Sequence, residues 1–77
     1  MTNIPALSFK QLIATVERLG FTRVRQRGSH IRFAHGDGRR TTIPDHGQKS
    51  VPKGLLLKIV RNDLEMTLSE FLRVLQD

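Results

Sequence analysis

The spacing of apolar residues changes twice along the chain. Between residues 9 and 19, apolar side chains recur at the i, i+3, i+4, i+7 spacing of one helix face: Phe9, Leu12, Ile13, Val16 and Leu19. Ser8 and Gln11 have the spacing of a capping box, and Gly20 is the residue type that ends a helix in the left-handed conformation. The pattern predicts an amphipathic helix that begins after Ser8 and ends before Gly20.

From residue 21 to residue 44 the period becomes two, with turn residues at 28–29 and 36–38. This pattern predicts three short antiparallel strands, the first two joined by a type II′ turn with Gly28 at its first position and Ser29 at its second. The register that follows pairs Arg27 with His30, Gln26 with Ile31, Arg25 with Arg32, and Val24 with Phe33.

Alternation divides this predicted sheet into two faces. The apolar face carries Val24, Ile31, Phe33 and Ile43. The other face carries Arg25, Arg27, His30, Arg32, Arg40 and Thr42. Like charges directly opposite each other cost up to about 1 kcal/mol in a bare sheet, so this arrangement favours an anion lying over the basic face.

Two further helices are predicted after the sheet. A polar loop at residues 45–50 leads to Pro52, near the first helical position, and to the apolar residues Leu55, Leu56, Ile59 and Val60. Thr67 and Glu70 form a second capping box, and the third helix has an apolar stripe of Leu68, Phe71, Leu72 and Leu75. We interpret this stripe as core, with partial packing against a partner as the alternative. The fold class is therefore α+β, in the order α-β-β-β-α with an extra short C-terminal helix.

Composition limits the class of protein. A chain of 77 residues with 38% hydrophobic residues allows one small domain, and its four Phe are its only aromatic residues. The lack of cysteine excludes a disulfide framework and a thiolate metal site. Residues 1–5 show no signal-peptide pattern, and no apolar stretch approaches the roughly 18–20 residues of a membrane span. We expect a cytoplasmic protein that does not interact with a membrane.

The basic residues are concentrated in the middle of the chain. The net charge is +6, and residues 18–61 contain eleven basic and two acidic side chains. A surface that serves only solubility mixes the two signs more evenly. The central segment therefore predicts a polyanionic partner. By charge alone this is a nucleic acid, an acidic protein or an anionic membrane surface, and the partner that we expect is not a membrane.

His30 is the sharpest candidate for chemistry, because it follows a tight turn and projects from the basic face. Imidazole is suited to exchanging a proton near neutral pH. In RNA it would deprotonate a 2′-hydroxyl, which then attacks the adjacent phosphorus to give a 2′,3′-cyclic phosphate. Arg25, Arg32 or Arg40 would stabilise charge on the phosphoryl oxygens. The alternative is an ordinary exposed strand histidine.

The other candidates are less specific. His35 is predicted at the end of the sheet, and His46 lies in a loop, either solvated or close enough to the basic face to act as a second acid or base. The spacing of the three histidines matches no zinc pattern, so no metal site is expected. Lys49, Lys53 and the N-terminus of the second helix predict a phosphate clamp, with a solubilising loop as the alternative.

Several short segments carry a family resemblance. They are Leu19-Gly20-Phe21, Val24-Arg25, Gly28-Ser29-His30 followed by Phe33, Ile43-Pro44, and Lys53-Gly54-Leu55 followed by Ile59. In this order the chain resembles the HicA toxin family from about residue 8 to residue 75. Gly-Ser-His alone is a weak signal, and its position among the other segments makes the combination specific.

The resemblance implies a double-stranded-RNA-binding-domain-like fold with a three-stranded antiparallel sheet. Residues 1–77 form one domain in this interpretation, with about 62–77 as a C-terminal helical extension. It also implies metal-independent cleavage of mRNA without a cofactor, by the family histidine that falls on His30. The implied partner is a HicB-type antitoxin, with an oligomer expected only in that complex.

The supporting residues predicted to bind RNA are Gly28, Ser29, Arg25, Arg27, Arg32, Arg40, Lys49 and Lys53. The proton donor to the leaving 5′-oxygen stays open among His46, Lys49 and water. Two other functions remain possible, since fold alone does not decide between them. One is a non-catalytic RNA-binding module, and the other is a protein-interaction module for an acidic partner.

Overall fold

The computed structural model describes residues 6–76, so the prediction that residues 1–5 are not part of a signal peptide lies outside the described residues. The elements are α1 (Phe9–Arg18), β1 (Thr22–Arg27), β2 (His30–Ala34), β3 (Arg40–Pro44), α2 (Lys53–Lys58), a π-helical turn (Ile59–Asp63) and α3 (Leu68–Gln76). This order confirms the predicted α+β, double-stranded-RNA-binding-domain-like fold with an extra C-terminal helix. Within residues 6–76, no helix combines the length and apolar character needed to cross a membrane.

Both predicted capping boxes are present. Ser8 Oγ accepts from the backbone N–H of Gln11 at 3.1 Å, and Gln11 Oε1 accepts from the backbone N–H of Ser8 at 2.9 Å. Thr67 and Glu70 exchange the equivalent bonds before α3. Each box satisfies backbone N–H groups that a helix start would otherwise leave unpaired, which is why the two helices begin at the predicted positions.

The sheet has the order β1-β2-β3, and both pairs of neighbouring strands are antiparallel. Three of the four predicted pairs between β1 and β2 are confirmed: Arg27 with His30, Gln26 with Ile31, and Arg25 with Arg32. The fourth is wrong, because Phe33 pairs with Arg23 and the register shifts between Arg23 and Arg25.

Val24 is the residue of β1 at which the pairing register shifts. An extra residue in one strand interrupts the alternation of side chains between the two faces. Val24 is therefore 55% exposed, and its predicted place on the apolar face is wrong. The guanidinium of Arg23 lies 5.9 Å from the centre of the Phe33 ring and pairs with Glu17 at 3.2 Å.

The core lies between the inner face of the sheet and the helices. Ile31, Phe33 and Ile43 point inward from the sheet and are fully buried. The helices and their connections contribute Leu12, Val16, Leu56, Ile59, Val60, Leu64 and Phe71. Phe71 belongs to α3, and Leu72 and Leu75 of the same helix pack partly buried against this core. The interpretation of the α3 stripe as core is confirmed for Phe71, Leu72 and Leu75, whereas Leu68 is half-buried and lies outside this cluster.

The loop between β2 and β3 ties the sheet to the helices through Arg39. Its Nε donates to Asp37 at 2.8 Å, and its Nη1 donates to the carbonyl of Leu64 at 2.6 Å. His35 follows β2, as predicted for a sheet-end residue, and its ring centre lies 5.0 Å from that of Phe21. Arg39 therefore joins the loop to the end of the π-helical turn.

Two surface carboxylates make stability depend on pH. The backbone N–H of Arg39 lowers the pKa of Asp37 below its ordinary 3.8, and the Thr67 side-chain hydrogen bond lowers the pKa of Glu70 below its ordinary 4.5. Because each pKa is lower in the folded chain than in the unfolded one, protonation favours unfolding. Their contribution is complete above pH 4.5 and is lost as the pH falls through the lower folded-state values.

We therefore expect the double variant Asp37→Asn/Glu70→Gln to melt at a lower temperature than the wild type near neutral pH. The gap between the two melting temperatures should narrow as the pH falls below 3.8 and close once both carboxylates are protonated in the folded wild type too. Thermal unfolding followed by circular dichroism measures this gap. A gap that stays constant across the pH range would contradict the assignment.

Candidate nucleic-acid interface

The outer face of the sheet carries the predicted basic surface. Along β2 and β3, exposed residues alternate with buried ones. Ile31 and Ile43 point into the core, and the residues before and after each of them in its strand face outward. The outward residues, with those of β1 that stand opposite them, form what we call the basic face: Arg25, Arg27, His30, Arg32, Arg40 and Thr42. This confirms the predicted distribution of side chains between the faces, except for Val24.

A cavity of about 190 Å³ opens on the basic face. It is lined by Arg25, Arg27, His30, Arg32 and Thr42, and we call it the His30 cavity. Its volume is below the roughly 300–1,000 Å³ of typical small-molecule sites. Three guanidinium groups around one imidazole suit a phosphate, because planar guanidinium donors match phosphate oxygens.

The turn before His30 has the predicted conformation. Gly28 has a φ of +60°, whereas Ser29 does not adopt a positive φ, as a type II′ turn requires. The Gln26 side chain donates to the carbonyl of Gly28 at 3.0 Å, and the backbone N–H of Asp45 donates to the carbonyl of Ser29 at 2.7 Å. Gly28 and Ser29 thus place His30 at the rim of the sheet, at the first residue of β2.

A second cavity of about 430 Å³ lies beside β3. It is lined by Arg32, Arg40, Thr41, Thr42, Lys58 and Asp63, and we call it the β3 cavity. It shares the lining residues Arg32 and Thr42 with the His30 cavity, so the two lie side by side. Lys58 belongs to the basic segment of the sequence, but neither Lys58 nor Asp63 is predicted at the site, because their approach to β3 depends on tertiary packing.

The predicted phosphate clamp lies elsewhere. Neither Lys49 nor Lys53 lines the His30 cavity or the β3 cavity. The carbonyl of Lys49 accepts from the backbone N–H of Phe9 at 3.0 Å, which places this loop against the start of α1. Lys53 is exposed at the start of α2. A role for these two lysines in phosphate binding stays a prediction.

His46 also lies outside both cavities. Its ring contacts the Phe9 ring edge to face, with 5.0 Å between the ring centres. His35 is at the end of β2, so the three histidines are dispersed. Across the described residues 6–76, no three His, Asp or Glu side chains group together in a way that could hold a metal ion.

The α-β-β-β-α order and the cationic outer face of the sheet define a small double-stranded-RNA-binding-domain-like protein. A family model described as the HicA toxin of bacterial toxin-antitoxin systems matches residues 9–65, well over half of the chain. The chain therefore belongs to the HicA toxin family, and the family implies an antitoxin partner. A search of curated proteins finds no significant match. Both cavities lie within the matched residues, whereas α3 lies beyond them.

Proposed function

We propose that the chain is a metal-independent mRNA endoribonuclease, the toxin of a toxin-antitoxin pair, with His30 as its proton-transfer group. The observation that carries this proposal is the His30 cavity. It places one imidazole among three guanidinium groups on an exposed face of the sheet. A phosphodiester bound there would have its negative oxygens near cations and a 2′-hydroxyl near a base, which are the two requirements of cleavage by transesterification.

In the proposed reaction His30 accepts the proton of the 2′-hydroxyl, and the 2′-oxygen forms a bond to the adjacent phosphorus. The bond from phosphorus to the 5′-oxygen breaks, and that oxygen takes a proton. The products are a 2′,3′-cyclic phosphate and a 5′-hydroxyl. Arg25 and Arg32 stabilise the charge that develops on the phosphoryl oxygens. Because neither His46 nor Lys49 lines the cavity, the geometry favours water as the proton donor to the 5′-oxygen.

A HicB-type antitoxin is the proposed protein partner. The exposed arginines of the basic face form a surface that an acidic partner would complement. An antitoxin bound there would compete with RNA for the same cations, and we expect higher oligomers only in that complex. Since mRNA is the proposed substrate, we place the activity in the cytoplasm.

The test is cleavage of 5′-labelled RNA, one structured and one unstructured, in the presence of EDTA. We expect fragments with 2′,3′-cyclic phosphate ends. Binding that weakens with salt but produces no new ends would instead favour a non-catalytic RNA-binding module, which the same basic face also supports. Failure to bind RNA at low salt would favour a protein-interaction module.

A further inference from the structure

The β3 cavity differs from the His30 cavity in having a carboxylate in its lining. Arg32, Arg40 and Lys58 line it together with Asp63. Its volume of about 430 Å³ falls within the roughly 300–1,000 Å³ of small-molecule sites. A cavity that bound only phosphate would gain nothing from a negative charge, so Asp63 indicates a ligand that also carries a hydrogen-bond donor.

Asp63 is held in place by a neutral group. The hydroxyl of Thr41, which is only 4% exposed, donates to Asp63 Oδ2 at 2.9 Å. The ion pairs among residues 6–76 involve Glu17 and Asp37 and do not include Asp63. An ionised carboxylate has about four acceptor sites. Thr41 occupies one of them, which leaves acceptor capacity for a ligand in the cavity.

We propose that the β3 cavity is a base-recognition subsite, where Asp63 accepts a hydrogen bond from the exocyclic amino group of a nucleotide next to the cleaved bond. Arg40 and Lys58 contact the phosphate of the same nucleotide. Arg32 and Thr42 line both cavities, so one RNA strand lying along the sheet reaches both. The inference rests on the RNA-binding part of the proposed function and adds a source of base preference to it.

The chemistry of the bases predicts which of them this subsite prefers. Cytosine, adenine and guanine each have an exocyclic amino group that donates to a carboxylate, as cytosine N4 does to Asp or Glu. Uracil has a carbonyl oxygen where cytosine has that amino group, and its only base-edge donor is the N3–H one position further along the ring. A carboxylate placed to accept from the exocyclic amino group therefore faces an acceptor in uracil. Single-stranded RNA exposes these base edges. The subsite should therefore disfavour uracil.

The experiment compares two oligoribonucleotides, eight cytidines and eight uridines, whose pyrimidine rings are of similar size. Fluorescence anisotropy at one low salt concentration measures their binding to the full chain with His30→Ala, so that cleavage does not interfere. We expect the cytidine strand to bind at least about fivefold more tightly. Asp63→Asn on the same background should make the two affinities nearly equal, while its amide oxygen can still accept from Thr41.

Glu65→Gln is the matched control, since it removes one negative charge two residues away and outside both cavities. It should preserve the difference between the two strands. Equal binding of both strands before Asp63 is changed, or a difference that survives Asp63→Asn, would overturn the subsite while leaving RNA binding intact. Failure to bind either strand would overturn the subsite and the proposed function together.

Discussion

Replacing His30 by alanine should lower the rate of RNA cleavage by about 10²–10⁴-fold, the usual contribution of a positioned acid or base. The side chain is exposed, so its removal should change the free energy of unfolding by no more than about 0.5 kcal/mol. Cleavage of a 5′-labelled RNA in EDTA gives the rate, and urea unfolding gives the stability. We expect binding of the antitoxin to be largely preserved.

His46→Ala is the matched control for this variant. It removes a second exposed imidazole, one that lies against Phe9 and outside both cavities. Cleavage by His46→Ala should stay close to that of the wild type. A His30→Ala protein that still cleaves RNA at the wild-type rate would refute the assignment of His30, and a strong loss in His46→Ala would make His46 a second acid or base.

Replacing Phe71 by alanine should destabilise the fold by about 3–5 kcal/mol, the usual cost of a cavity left by a buried phenylalanine. Phe71 is 0% exposed, although α3 lies beyond the residues that the family model matches. Domains of this size have a total stability of only about 4–12 kcal/mol. Much of the Phe71→Ala protein should therefore be unfolded at a urea concentration that leaves the wild type folded.

Val24→Ala is the control for that experiment. It shortens an apolar side chain that is 55% exposed, and we expect an effect within about 0.5 kcal/mol. Urea unfolding followed by circular dichroism compares the three proteins. An unchanged urea midpoint for Phe71→Ala would show that α3 is not part of the cooperative core.

The elements that could be predicted from the sequence depend on local spacing. The capping boxes at Ser8 and Thr67 each involve residues three positions apart, and the hairpin register next to Gly28 follows from the two-residue turn. The outward position of His30 and Arg32 then follows from alternation. For this reason local spacing is sufficient to predict that His30 and Arg32 share the outer face of the sheet.

Three features could not be predicted from the sequence, because they depend on local departures from regular structure or on contacts between residues far apart in the chain. The irregularity at Val24 interrupts a period that simple alternation assumes to be continuous. In the π-helical turn, Leu64 N–H donates to the carbonyl of Ile59, five residues back, and the apolar pattern does not distinguish this from an ordinary helix. Asp63 is brought to the site by tertiary packing, and it accepts there from Thr41, which lies 22 positions earlier in the chain.

Both carbonyl groups of the turn at residues 28–29 are hydrogen-bonded, one to the Gln26 side chain and one to the backbone of Asp45. The backbone that carries His30 therefore has little conformational entropy left to lose when RNA binds. The ordering of this segment takes place during folding, before any substrate arrives. Under the proposed function, turnover on the basic face should accordingly depend on how the RNA strand fits a rigid surface, with no requirement for this turn to close over it.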